Sequence, residues 1–454
     1  MGTFVRESVP VILFALALLF LGYVAGSLTT LSDTFPSQYV RHAYQAAEAL
    51  RLKRAYLDDQ YGSNLWEPER SSARGVTVHV PGRAQPGLTL FTSGHGPSAL
   101  LIDLQGRIVH EWKRPFRDVW DESSPVRDPV PEKQIYFEKA HVFPNGDLLA
   151  VYVGIGDTPW GYGLVKLDRH SNVIWKNLAR FHHDVDVTED GRIFGLTHRF
   201  RDEPVDGFPN LRPPVLEDRL VELTPGGEVR REISLLEAVT RSRYARKLYR
   251  ILPGSLWDPL HTNAVDVLDE ARAAALARKV PQAAPGQVLL SFRELDGGTV
   301  ALLDLEREDI VWALSGSWKS QHDPDILPNG NILLFDNLSN FSDGGESRVV
   351  EVDPSHGGVV WSYEGSPEKP LRSYWRSAQQ PLANGNVLIT ESQGARLLEV
   401  DRRGEIVWEY VNPVRARQRP TQVAIVNWAT RIDSAALDES FRRAIAQSSR
   451  ATTP

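Results

Sequence analysis

One short phrase recurs along the chain, and its recurrence restricts the fold more than any other feature. Residues 322–335 read HDPDILPNGNILLF, residues 183–196 HDVDVTEDGRIFGL, residues 141–151 HVFPNGDLLAV and residues 380–389 QPLANGNVLI. Each places an Asn/Asp-Gly type turn before an apolar run. A second phrase recurs as well: EVDPSHGGVVW at 351–361, EVDRRGEIVW at 399–408, KLDRHSNVIW at 166–175 and LIDLQGRIVHEW at 101–112. Self-similarity at a period of roughly 40–50 residues marks a propeller or solenoid. Six units can be marked out, at 88–112, 141–175, 182–229, 261–312, 322–361 and 379–408. All but the third close on a tryptophan at the same place in the phrase, which reads as repeated core packing on an outer strand. Six units of about four short strands predict an all-β, six-bladed β-propeller over residues 88–430. Either 424–432 or 75–80 would supply the strand that closes the ring.

Outside the repeats the pattern changes. Residues 9–31 carry no charge, and about 20 apolar residues suffice to cross a bilayer. An uncleaved transmembrane helix is favoured over a signal peptide, whose apolar core is shorter and whose exit is Ala-x-Ala-like. Residues 1–8 are then an N-terminal stub, 32–87 a juxtamembrane helix (37–57) and linker, and 431–454 a C-terminal tail. Arg6 precedes the span, while Arg41, Arg51, Lys53 and Arg54 follow it, a bias toward a cytoplasmic body. Residues 233–252 and 268–280 have helical composition and read as short insertions between strands. Residues 200–215 and 154–163 read as loops. The net charge of −7 offers no basic field for nucleic acid. With no cysteine in the chain, thiolate chemistry and disulfides are excluded.

A residue at one position of a propeller repeat recurs around the central channel. His183 and His322 both stand eight residues before the glycine of their repeat, and His261 heads the fourth unit. Equivalent imidazoles in consecutive blades point to a site rather than to core packing. His141 and Gln380 lie three residues further along the phrase and are candidate substrate contacts. Asp184, Asp186, Asp323 and Asp325 accompany the histidines, either to orient the rings or to bond strand-start amides. Several histidines would suit a transition metal. No local HxH or HxxxH pair supports one, and Arg293 is a poor neighbour for a cation, so neither metal nor cofactor is expected.

The stretches DPLHTNAVDV (258–267), VLLSFRELDGGTVALLD (288–304), QHDPDILPNGNILLFDN (321–337) and SAQQPLANGNVLITESQGARLLEVDRRGEIVWEYVNP (377–413) resemble the aryl sulfotransferase family. These are the bacterial arylsulfate sulfotransferases that use no nucleotide sulfate donor. The resemblance spans roughly residues 88–413. It implies a propeller enzyme that moves a sulfuryl group from a phenolic sulfate ester to a phenolic acceptor, by a ping-pong route through a sulfohistidine. By motif, His322 is the covalent carrier, while His261, Asn263 and Arg293 contact the sulfate oxygens. His183 resembles a further active-site histidine. The resemblance also implies an extracytoplasmic body, against the flanking charges. The chain departs from well-known periplasmic members in lacking a sizeable N-terminal β-domain and its cysteines, so their dimerisation does not carry over. Two other functions compete. One is a membrane-tethered propeller that binds without catalysis. The other is a quinoprotein-like oxidoreductase, suggested by the Asp-x-x-Gly-x-x-x-Trp phrase but expected to have eight units.

Overall fold

A computed structural model describes residues 2–32, scattered positions from 34 to 51, 63–338 and 346–451. It falls into two units, Met1–Asp58 and Asp59–Pro454. In the first, helix α1 (Gly2–Ser32) contains a 22-residue stretch, Val9–Thr30, long and apolar enough to cross a membrane. The segment read as a juxtamembrane helix (37–57) lies largely outside the described residues.

The second unit is mostly β. Six antiparallel sheets follow one another along the chain, each strand pairing with the next. Their first strands in sequence are Leu88–Ser93, Ile135–Val142, Phe181–Val187, Thr262–Val267, His322–Ile326 and Ala378–Pro381. The recurring Gly turns join first to second strands, where a positive φ is needed: Gly146 has φ 88°, Gly191 82°, Gly330 83° and Gly385 86°. Strand Val426–Ile432, from the end of the chain, pairs with Leu88–Ser93 and becomes the innermost strand of the first sheet. Inner strands then touch in order, 135–142 with 181–187, 262–267, 322–326, 378–381 and 426–432, which returns to 135–142.

The tryptophans do more than pack. Trp112, Trp175, Trp312, Trp361 and Trp408 all lie on the last strand of their repeat. Three of them donate the indole N–H to an equivalent turn carbonyl of the following sheet: Trp175 to Pro225 (3.1 Å), Trp361 to Arg402 (3.1 Å) and Trp408 to Leu104 (2.9 Å). In the first sheet His110 holds that register and bonds the equivalent Arg169 carbonyl at 2.9 Å, while Trp112, two residues later than the phrase suggested, donates to Gly146 at 2.9 Å. In the third sheet Arg231 stands at that position of the phrase, and its guanidinium donates to the Leu305 carbonyl of the fourth. The bond is therefore kept where the tryptophan is not.

Both strands offered for closure are used, in different places. Strand Gly75–His79 adds a fifth strand to the sixth sheet, against Ile406–Val411. Strand Trp66–Pro68 joins a small sheet with Arg415–Ala416 and Arg419–Ala424. Part of the segment read as linker is thus ordered β structure, because the outer edge of the sixth sheet presents unpaired amides and carbonyls for it to satisfy. The segment read as a tail also contributes to the core. Helix α4 (Glu439–Ala451) buries Phe441 and Ile445 beside Trp112. Two short helices before it, α2 (Leu235–Arg241) and α3 (Glu270–Ala277), occupy the predicted insertions.

Candidate active site

Four inner strands depart from regular pairing where their chemistry-bearing residues sit. The register shifts between Phe137 and Ala140, His182 and Val185, Thr262 and Ala264, and His322 and Asp325. Such bulges re-aim side chains. Around them His183 (φ 52°), His261 (44°), Ser320 (54°), Asp323 (52°), Arg376 (58°) and Ser377 (77°) adopt left-handed backbone conformations. Each costs on the order of 1–3 kcal/mol and is held by the surrounding sheets, a pattern that clusters at functional sites.

His183, His261, Arg293 and His322 line one cavity of about 170 Å³. Its remaining wall combines Trp160, Trp375, Tyr136, Val153 and Ile155 with three polar side chains, Asn64, Glu138 and Arg376, the last two 3.5 Å apart. Asn263 faces a narrow neck that also touches His183 and His322. Below the neck Lys139 bonds Asp184 and lies 3.8 Å from Asp323. Burial opposes its charge, but those carboxylates more than offset it and keep it protonated.

The structure brings five of the seven sequence-predicted residues to this place. His141 and Gln380 are elsewhere. His141 lines a second cavity of about 400 Å³ with Asp186, Asp266 and Asp325, on the far side of Lys139. Gln380 bonds both backbone groups of Arg431, at 2.6 and 3.2 Å. Three residues along a strand is about 10 Å, which carries these side chains past the neck. Asp184 and Asp186 settle on the amide reading, whereas Asp325 accepts from the Gln379 side-chain amide at 3.0 Å and Asp323 lies 3.8 Å from Lys139. Asp184 accepts from the Val265 amide at 2.9 Å and Asp186 from Val267 at 2.8 Å, each tying one inner strand to the next.

Hydrogen bonds fix the imidazoles individually. His322 Nδ1 lies 2.8 Å from Asn337 Oδ1 and 3.0 Å from the Ser320 carbonyl. The Asn337 amide group donates to the carbonyls of Ser373 and Arg376, so its oxygen is the atom facing the ring. Two acceptors place the ring proton on Nδ1 and leave a lone pair on Nε2. Burial and then Arg293 push His322 down to about 3, so it is neutral near pH 7.

His261 Nδ1 makes a short contact with Asp258 Oδ2. Burial, followed by Glu294, raises Asp258 to about 8, whereas burial and Arg293 depress His261. Both directions favour a neutral pair. The carboxyl then donates to Nδ1, and the ring proton sits on Nε2, 3.5 Å from Arg293 Nη1. Two donors converge there, Arg293 Nη1 also lies 3.4 Å from Glu294 Oε1, and Arg293 Nε is buried without a partner. Such an array suits an anion. Asn263 donates to the Gln321 carbonyl at 2.8 Å, while its Oδ1 is buried and unpartnered.

Sequence reasoning missed Asp258 and Asn337, although both stand inside the motifs it quoted. It also missed Trp160, Trp375, Tyr136 and Arg376. Trp160 comes from the Gly-rich stretch read as a loop, and its ring lies 5.3 Å from His261 and 5.9 Å from His183. The only signal for it was a large aromatic among glycines and a proline.

The arylsulfotransferase (ASST) family model matches residues 139–413, which contain His183, His261, Asn263, Arg293 and His322. The chain belongs to the arylsulfotransferase family. No curated protein sequence matches it significantly. Among solved structures, a protein of unknown function from Bacteroides caccae is 14% identical over 75% of this chain and 99% of its own, with a TM-score of 0.46. The Cps50 (Swd1) β-propeller domain of Myceliophteria thermophila is 12% identical over 77% and 90%, with a TM-score of 0.41. A streptogramin B lyase is 13% identical over 77% and 88%, with a TM-score of 0.40.

Proposed function

We propose that this arylsulfotransferase moves a sulfuryl group from a phenolic sulfate ester to a phenol in two steps, through a sulfated His322. The observation that carries the reading is the tautomer of His322. Its Nδ1–H is held by Asn337 and Ser320, and its Nε2 lone pair is free beside a cluster of anion donors. Nε2 attacks sulfur as the S–O bond to the donor phenol breaks. The ring becomes an N-sulfo imidazolium whose Nδ1–H stays on two acceptors, which stabilises the charge without quenching its reactivity. Arg293 and the Nε2–H of His261 hold the sulfate oxygens, and the second amide proton of Asn263 reaches them from the neck. Transfer of this kind is chiefly positioning and charge stabilisation, as in phosphoryl transfer. Trp160, Trp375 and Tyr136 clasp the aromatic ring of either substrate. The acceptor phenol then loses its proton, with His183 as the receiving group, and takes the sulfuryl group from His322.

In the same reading the six sheets are the blades of one closed propeller, residues 88–430, and the site opens at one end of its axis. Residues 9–31 anchor the protein as a single-pass membrane helix with the body outside the cytoplasm. Initial rates with both an aryl sulfate and a phenol varied test the mechanism. Parallel double-reciprocal lines, and loss of all turnover in His322→Ala, are expected. Converging lines, or a His322→Ala variant that turns over normally, contradict it. Aryl sulfate binding without any turnover would favour the tethered, non-catalytic propeller.

A further inference from the structure

Behind His183 lies a chain of buried polar groups that the sulfate site does not use. His182 Nδ1 is 2.7 Å from His183 Nδ1, so one ring donates to the other. His182 Nε2 makes no hydrogen bond and lies 3.5 Å from Asp218 Oδ1, close enough for a small rotation of either side chain to join them. His182 is 1% exposed and Asp218 2%. The other oxygen of Asp218 accepts the Thr262 amide at 2.6 Å, which fixes the carboxylate to the strand that carries Asn263. The His198 ring stacks on His182 with centroids 4.2 Å apart and holds it in plane. With Nδ1 engaged by His182, His183 has one polar atom left, Nε2, for the cavity its side chain lines.

His182, His198 and Asp218 bring three ligand atoms within 4.8 Å of one another, which raises a metal site as the competing reading. The hydrogen bonding of His198 argues against it. The Gly161 amide donates to His198 Nε2 at 3.1 Å. A neutral ring that accepts at Nε2 carries its proton on Nδ1, the atom a metal would need.

We propose that Asp218, His182 and His183 form a proton relay in which Asp218 is the terminal base for the acceptor phenol. The proposal rests on the sulfuryl-transfer reading above. The phenol O–H breaks and its proton passes to His183 Nε2. His183 Nδ1–H passes to His182 Nδ1, and His182 Nε2–H passes to Asp218. As the phenol oxygen bonds sulfur, the S–N bond to His322 breaks and its electron pair returns to Nε2. Charge ends as a neutral carboxyl, and no imidazolium persists. That matters because burial holds both rings neutral: His182 is pushed down to about 3, and His183 falls well below its ordinary value. A lone His183 would be a poor base. Burial, with Asp258 and Glu217 nearby, raises Asp218 instead and makes it the better proton acceptor.

The test separates the two half-reactions. Wild type, Asp218→Asn and His182→Gln are loaded with 4-nitrophenyl sulfate, whose leaving group needs no proton. The loaded enzyme is then mixed with phenol or with the more acidic 4-cyanophenol. In both variants the relay predicts a burst amplitude still near one nitrophenol per chain. Transfer to phenol should be slowed at least ~10-fold, and transfer to 4-cyanophenol several-fold less, because general-base help matters most for the weaker acid. Wild-type transfer to phenol, followed across mixtures of H2O and D2O, should give a curved plot for several protons in flight, a readout independent of how the variants fold. Equal slowing of both acceptors, unchanged transfer to phenol, or a linear plot overturns the relay. So does a stoichiometric transition metal in the wild type that Asp218→Asn loses. A wild type with no burst overturns the sulfohistidine reading itself, and the relay with it.

Discussion

At the scale of single residues, the site is a set of imidazoles whose roles are set by what each ring nitrogen touches. Asn337 and Ser320 leave His322 with a lone pair on Nε2, and Asp258 leaves His261 with a ring N–H at Nε2. The second assignment has a pH consequence. Asp258 faces Glu294, Arg293 and Asp218, and is raised to about 8. As pH climbs through that value the carboxyl loses its proton. Nδ1–H then turns to the carboxylate, and Nε2 becomes a lone pair aimed at the sulfate. Turnover should therefore fall on the alkaline side, with an inflection near 8. In Asp258→Asn the side-chain oxygen or amide has no proton to lose, so that inflection should vanish from the kcat/KM profile. An inflection that survives the substitution assigns the ionisation elsewhere. Replacing Asn337 by Leu removes one Nδ1 acceptor and should cut the sulfation rate of His322 by ~10-fold or more. His183, His261 and His322 stood out as a group in the sequence because the repeat aligned them, whereas Asn263 and Arg293 were singled out only by the family resemblance. Asp258 and Asn337 were printed in the same motifs, but a carboxylate or amide does not announce which ring it orients.

At the scale of elements, the bulged inner strand is the functional unit. It turns His183, His261 and His322 toward one cavity while the rest of each strand keeps its pairing. The repeat phrase revealed strands and turns, but period-two alternation does not disclose a bulge. His141 and Gln380, three residues further along their strands, were expected at the site and lie about 10 Å away from it. In five of the six repeats the last strand has its own role, with an indole, imidazole or guanidinium reaching a carbonyl of the next sheet. Trp408 is the bond from the sixth sheet to the first, and its side chain is fully buried. Trp408→Phe keeps most of the apolar area and deletes the donor, leaving the Leu104 carbonyl without it. The expected loss is about 1–2 kcal/mol by chemical denaturation. Arg231→Met, which removes the substitute at the third sheet, should cost less because its guanidinium is one-third exposed. A Trp408→Phe protein as stable as wild type would reduce the repeated indole bond to packing alone.

At the scale of the whole molecule, the order of contacts among inner strands returns to its starting point, with the end of the chain supplying a strand to the first sheet. The six-fold phrase made that legible. What it did not show was the use of residues 66–79 and 439–451, which lie outside the repeat and are recruited to cover an edge and a core patch. The same geometry gathers residues from the second to the sixth repeats around one small, aromatic-walled cavity, and its central claim is chemical. Purified full-length protein, mixed with excess 4-nitrophenyl sulfate and no acceptor, tests it most directly. The account predicts release of one nitrophenol per chain and a sulfated peptide whose modified residue is His322, discharged when phenol is added. Release with no adduct on His322, or an adduct on another residue, would contradict it.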